Sequence, residues 1–241
     1  MGMYKHVLHQ IPLNKDNGNA GYPFWLNGWF STLDAASLVC FLSMRKPSRY
    51  IEIGSGFSTM FARFAINSQG LATSLTSIDP QPRADIDKHC DNVVRTRLED
   101  CDLSVFDQLT AGDILFFDGS HRVFTNSDVT VFFLEVLPRL SPGVLVHMHD
   151  IFLPFDYVPQ WNARLYSEQY ILAAMLICER PPFDVVMPNY FVCKDDDLVK
   201  HVKSMFAPTD GGHEIPMTYS NAAAVPGVSF WIQTVKGHRS L

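Results

Sequence analysis

Short apolar runs alternate along the chain with stretches in which apolar residues recur every three or four positions. The runs predict strands at 50–53, 74–78, 92–96, 113–117, 144–148, 183–187 and 229–234. Runs such as ILFF (114–117) and VLV (144–146) are apolar at every position. That pattern suits strands covered by helices on both faces rather than on one. Between the fourth and fifth strands, Val129, Phe132, Phe133 and Val136 fall at helical spacing behind the start signal Ser127-Asp128, and Pro138 marks the end. A second helix spans 33–44, behind the aromatic lead GYPFWLNGWF (21–30), and the Pro- and Gly-containing stretch 207–226 reads as a loop. Strands alternating with helices predict an α/β chain, a doubly wound, Rossmann-like sheet of seven strands. With no internal repeat, the pattern gives an N-terminal extension or cover over 1–30 and one domain over 31–241.

Composition narrows the function classes. Hydrophobic residues make up 47% and charged residues 18%, enough for a large core. A net charge of −6 leaves no basic excess to meet phosphates, which argues against nucleic-acid or anionic-membrane partners. The longest run of like charge, Asp195 to Asp197, reads as a solvated loop. Five scattered cysteines without a CxxC pair suit a reducing compartment better than a disulfide frame or zinc site. MGMYKHVLHQ lacks a signal-peptide core and no run is long enough to span a bilayer, so a cytoplasmic protein is expected.

The most specific stretch is YIEIGSGFSTMFARFA (50–65). An apolar strand runs into Gly54-Ser55-Gly56, and a helix follows with Ser58 or Thr59 placed to cap it. Glycines let the backbone turn sharply and approach a ligand, while the new helix presents free N–H groups. A second strand ends at Asp79, 23 residues beyond Gly56, where an acid can bind ribose hydroxyls. Thr59 stands where a dinucleotide fingerprint has its third glycine, and Glu52, inside the strand, can face an amine-bearing ligand.

EIGSGFST (52–59), SIDPQPR (77–83), ILFFDGSH (114–121) and VLVHMHDIF (144–152) together resemble class I S-adenosylmethionine-dependent methyltransferases. The resemblance covers most of 30–235. It is nearest to the small-molecule O-methyltransferase branch, with catechol-type enzymes and the metal-dependent sugar O-methyltransferases of antibiotic pathways. It implies that SFWIQT (229–234) is an antiparallel last strand. It also implies that the Gly54, Ser55, Gly56 turn, with Glu52, Ser58 and Thr59, encloses the methionine part of S-adenosylmethionine. Asp79 would bind the ribose, Leu98, Glu99 and Asp100 would lie near the adenine, and Asp118 would border the cofactor.

Ligands of an open parallel sheet gather at the carboxyl ends of its strands. That brings Asp118 and His121, after the fourth strand, next to His149 and Asp150, after the fifth. Methyl transfer to a hydroxyl needs in-line alignment and removal of a proton, which a histidine and a divalent cation can share. The resemblance implies Asp118 and His121 as a DxxH pair, with His121 as the general base and Asp118 and His149 beside it in catalysis. Asp118, His149 and Asp150 are the candidate metal ligands. His149 replaces an expected acid, which leaves Mg, Mn, Fe, Zn or no metal open. His147, one pleat deeper, reads as a core histidine. The aromatic stretch 151–170 reads as a substrate wall or lid, with Tyr157 and Trp161 set to stack on an acceptor ring, or as ordinary packing. Its aromatics, or those of 21–30, admit a homodimer contact. The leading expectation is O-methylation of a small-molecule acceptor. The alternatives are a metal-dependent lyase, cyclase or oxygenase on the same fold, and a non-catalytic binding protein.

Overall fold

The computed structural model describes residues 2–15, 21–82, 85–209, 213–217 and 225–235. Seven strands form one sheet: β1 (Arg49–Ile53), β2 (Ser74–Ile78), β3 (Asn92–Val94), β4 (Ile114–Phe117), β5 (Leu145–Met148), β6 (Phe183–Pro188) and β7 (Phe230–Thr234). Their order is β3-β2-β1-β4-β5-β7-β6. The pairs from β3 to β5 are parallel, and β7 runs antiparallel to both β5 and β6. The doubly wound Rossmann-like class expected from the sequence is the one observed, including the antiparallel last strand.

The helices are α1 (Lys5–Leu8), α2 (Thr32–Arg45), α3 (Phe57–Ser68), α4 (Asp128–Val131), α5 (Glu168–Leu176), α6 (Asn189–Lys194) and α7 (Asp196–Phe206). Alternation along each strand sends side chains to two separate cores. Tyr50, Ile114, Phe116, Leu145 and Trp231 pack with α2, α3 and α7 on one face. Ile51, Ile53, Leu115, Phe117, Val146 and Met148 pack with the helical stretch after Ser127 and with Leu172 on the other. Val129, Phe132, Phe133 and Val136 are all fully buried there, although the helix widens into a π-type turn over Phe132–Val136.

Two local expectations need correction. The acidic run is not a loop: Asp195 accepts hydrogen bonds from the Asp197 and Leu198 amides at 3.0 and 2.9 Å and caps α7. Acids favour the free N–H groups at a helix start, so the run marks a beginning rather than a gap. The cap of α3 is Gly56, not Ser58 or Thr59. Thr59 sits one turn in, where its hydroxyl accepts from the Gly56 amide at 3.0 Å and donates to Glu52 at 2.6 Å. In the expected loop 207–226, residues 210–212 and 218–224 lie outside the described residues.

Candidate functional site

The strand order reverses between β1 and β4, and there the ends of the central strands frame a cavity of about 510 Å³. The size suits a nucleoside-bearing ligand. At its edge the backbone is tightly laced. The Gly54 amide donates to Ile78, the Asp118 amide to Ile53 and the His149 amide to Phe117, each at 2.9–3.0 Å. Gly54 has φ +76°, and a Cβ there would lie 1.9 Å from the Asp118 carbonyl oxygen. Only glycine fits this conformation and this approach. At Gly56 an added Cβ would meet open space instead.

Asp79 is held beside this turn. One carboxylate oxygen accepts from the Ser55 amide and hydroxyl, both at 2.9 Å, and the other from the Gln81 amide at 2.8 Å. Of the residues expected to border a cofactor, Gly54, Ser55, Asp79, Glu99 and Asp118 line the cavity, as does Leu98. Glu52, Gly56, Ser58, Thr59 and Asp100 do not. Asp100 instead pairs with Arg97. Glu52 lies beneath the turn, fully buried, with one oxygen bound by Thr59 and the other, Oε1, without a hydrogen-bond partner among the described residues. Burial pushes its carboxyl up to about 8, so it carries a proton near neutrality.

The tips of β4 and β5 meet on the other side of the cavity. His121 Nε2 lies 3.3 Å from Asp118 and 3.4 Å from Asp150, and its Nδ1 binds Glu168 at 2.6 Å. His149 Nδ1 lies 3.4 Å from Asp150 and 3.8 Å from Asp118, while its Nε2 points to Asp34 at 3.5 Å. One ligand atom each from Asp118, His149 and Asp150 falls within 4.8 Å of the others, so the trio can hold a cation. His121 and Asp150 both adopt left-handed backbone, at φ +63° and +59°. Such conformations are costly for residues with a Cβ and concentrate at functional sites.

Charge in the cluster is strongly coupled. Burial alone would lower the His121 and His149 pKa values. The surrounding acids outweigh it, raising His121 well above its ordinary value through Glu168, Asp150 and Asp118. Asp150, Asp118 and Asp34 raise His149 to about 9. Burial raises Asp150 and brings Glu168 to about 7, while His149 and His121 overcome burial at Asp118 and hold it below the carboxylate range.

Sequence reasoning gave no role to Asp34 or Glu168. Asp34, in the first turn of α2, is fully buried and accepts from Ser31, Asn189 and the Val228 and Ser229 amides. Both acids stand in first turns of helices, where an acid ordinarily reads as helix-end electrostatics. His147 is a core residue, as expected. It is fully buried, stacked on Phe116 at 3.8 Å and bound to the Ser229 hydroxyl at 2.7 Å. Burial lowers its pKa well below the ordinary value and keeps it neutral.

The 151–170 segment divides. Trp161 is buried against Phe152, with the Arg164 guanidinium 4.0 Å over its ring, and does not line the cavity. Tyr157 packs edge-on against Phe152 and is also absent from the cavity lining. Arg164 and Tyr166 face the cavity, and the Tyr166 ring covers His121 at 4.4 Å. Gly28 and Trp29 of the N-terminal lead line it from the opposite side, whereas Trp25 and Phe30 of that lead are core.

Residues 51–151, from β1 to just past the tip of β5, match the family described as "Methyltransferase domain". This stretch is a methyltransferase domain. It contains the glycine turn, Asp79 and the whole Asp118–Asp150 cluster, whereas Asp34 and Glu168 lie outside it. No curated protein sequence matches the chain. Among solved structures, the chain is similar to an O-methyltransferase from Bacillus cereus bound to S-adenosylhomocysteine, at 13% identity, covering 97% of each chain with a TM-score of 0.49. It is similar to the O-methyltransferase TomG of tomaymycin synthesis from Streptomyces achromogenes, bound to S-adenosylmethionine, at 14% identity, covering 98% of this chain and 88% of that one, TM-score 0.46. A methyltransferase from Podospora anserina bound to S-adenosylhomocysteine is 15% identical, with coverage of 86% and 80% and a TM-score of 0.48. Among the described residues, no helix is long and apolar enough to cross a membrane.

Proposed function

We propose that the protein is an S-adenosylmethionine-dependent methyltransferase that methylates an oxygen of a small-molecule acceptor. The observation that carries this reading is the single cavity on which the glycine turn, Asp79 and the Asp118–His121–His149–Asp150 cluster converge. Its volume, the turn that only Gly54 can make and the acid at the end of β2 fit the cofactor. When bound, S-adenosylmethionine supplies a methyl group on a sulfonium, open to in-line attack. Asp79, held in place by Ser55, would bind its ribose, and Leu98 and Glu99 would border the adenine.

Asp118, His149 and Asp150 are the residues that would hold a divalent cation, whose chemistry would be to orient the acceptor and lower its hydroxyl pKa. Two carboxylates and an imidazole, two of the three nine-tenths buried, fit a metal. His121 is the general base in this reading. Glu168 takes its Nδ1–H and aims Nε2 at the acceptor side. Glu168, Asp150 and Asp118 together favour the protonated imidazole, so countering the charge of the two aspartates weakens that preference. Arg164 and Tyr166 form the acceptor wall, and Gly28 and Trp29 of the N-terminal extension cover the site of a domain over 31–241. Five scattered cysteines, free in the structure and without a CxxC pair, support a cytoplasmic setting.

The imidazole among the ligands supports a second reading, metal-dependent lyase, cyclase or oxygenase chemistry on the same fold. Incubation with methyl-labelled S-adenosylmethionine and a panel of hydroxylated acceptors, with and without chelator, separates the two. Methyl transfer requires S-adenosylhomocysteine and a labelled product in equal amounts. Consumption of the cofactor without S-adenosylhomocysteine would point to the second reading.

A further inference from the structure

Asp34 lies outside the methyltransferase-domain match yet touches the cluster from behind. Its carboxylate is fixed. Oδ1 accepts from Asn189 Nδ2 and the Ser229 amide, both at 2.8 Å, and from the Val228 amide at 3.0 Å. Oδ2 accepts from the Ser31 hydroxyl at 2.7 Å and, more distantly, from Val228. Oδ2 also faces His149 Nε2 at 3.5 Å. That nitrogen is buried and has no hydrogen-bond partner among the described residues, so Asp34 is the acid that compensates it. The Phe30 ring packs on the imidazole at 5.4 Å. Turning the ring over would place Cε1–H against Asp34 in place of Nε2 and lose that compensation. With a proton kept on Nε2, Nδ1 is the nitrogen whose proton a cation can displace, and Nδ1 is the atom that faces Asp150 and Asp118. A carboxylate behind a histidine fixes its tautomer and raises its basicity as a ligand.

We propose that Asp34 presents His149 Nδ1 as a nitrogen ligand, so that the Asp118–His149–Asp150 trio selects imidazole-accepting divalent cations over Mg²⁺. This rests on the metal reading given above and adds the class of ion, Mn²⁺, Fe²⁺, Co²⁺ or Zn²⁺, and the positioning residue. Mg²⁺ takes oxygen ligands in near-ideal octahedra and releases water reluctantly, whereas the later divalent ions accept nitrogen readily. Asp34 touches no cation itself. It acts through the orientation of His149.

The test uses the full chain stripped of metal, with no cofactor or acceptor, titrated separately with Mn²⁺, Co²⁺ and Mg²⁺ by calorimetry, with the Co²⁺ absorption spectrum recorded in parallel. The expected result is Mn²⁺ and Co²⁺ binding at least ~10-fold more tightly than Mg²⁺. Asp34→Asn should weaken Co²⁺ by about 10–100-fold and change Mg²⁺ much less. Should that variant fail to fold, His149→Asp decides alone. It should move the Mn²⁺/Mg²⁺ ratio toward Mg²⁺ and shift the Co²⁺ spectrum as nitrogen leaves the ligand field. Binding of the ions with a ratio and spectrum unmoved by His149→Asp overturns this inference and leaves the metal reading standing. No binding of any of the three ions overturns both.

Discussion

Glu52 offers a test of the interior beneath the glycine turn that needs no ligand. Its side chain is fully buried, and Thr59 satisfies only one carboxylate oxygen. Burial lifts the carboxyl from an ordinary 4.5 to about 8 in the folded chain. A raised folded value means that the folded state binds the proton more tightly than the unfolded one. The stabilisation is therefore complete below pH 4.5 and is lost as pH rises through about 8. A displacement of that size, at about 1.4 kcal/mol per pH unit, corresponds to about 5 kcal/mol across the window. That is a large part of the stability of an ordinary domain. Glu52→Gln keeps the shape and an acceptor for Thr59 but cannot ionise. Urea unfolding of both proteins without cofactor, below and above this window, gives the difference in unfolding free energy at each pH. The variant should gain several kcal/mol on the wild type between the acid and alkaline measurements. Any fixed packing cost of the amide cancels in that comparison. A difference independent of pH would refute the reasoning, because Glu52 would then titrate alike in the folded and unfolded chain.

Further expectations test the turn, the base and the cap. Gly54→Ala forces a Cβ to 1.9 Å from the Asp118 carbonyl oxygen, so melting should fall sharply, whereas Gly56→Ala should melt like the wild type. If ligand occupies the space over Gly56, calorimetry with S-adenosylhomocysteine should show weakened binding by that second variant. Glu168→Gln removes the carboxylate that holds His121 Nδ1 and should lower kcat by about 100-fold or more, with KM for the cofactor little changed; an equal rise in KM would place Glu168 in binding instead. Asp195→Ala removes two hydrogen bonds at the start of α7 and should cost about 1 kcal/mol in denaturant unfolding, with cofactor binding unaffected.

The sheet was legible because strands buried on both faces leave unbroken apolar runs, as in Ile114–Phe117, and because Val129, Phe132, Phe133 and Val136 keep helical spacing. The strand tips followed from that order, and Asp118, His121, His149 and Asp150 do stand together. What the chain concealed were the groups that reach the cluster across long sequence distances. Asp34 meets Val228 and Ser229, nearly two hundred positions away, and Glu168 meets His121 from the start of another helix. Neither pairing leaves a local pattern, since an acid in a first turn is favoured with or without a tertiary partner. At Trp161 the sequence left a wall and ordinary packing both open. An aromatic beside a crevice suggests a wall, yet the ring is consumed by packing on Phe152 and Arg164. Asp195 shows the same ambiguity at short range, where one acidic run suits a solvated loop or a helix cap equally well.

The central claim is that the cavity between the glycine turn and the β4–β5 tips is the S-adenosylmethionine site. Isothermal titration of the wild type and Asp79→Ala with S-adenosylhomocysteine tests it most directly. The account predicts saturable one-to-one binding to the wild type, weakened by at least ~10-fold, or about 1.4 kcal/mol, in a variant that keeps its fold by circular dichroism. Absence of saturable binding to the wild type, or equal affinity in the folded Asp79→Ala protein, would contradict it.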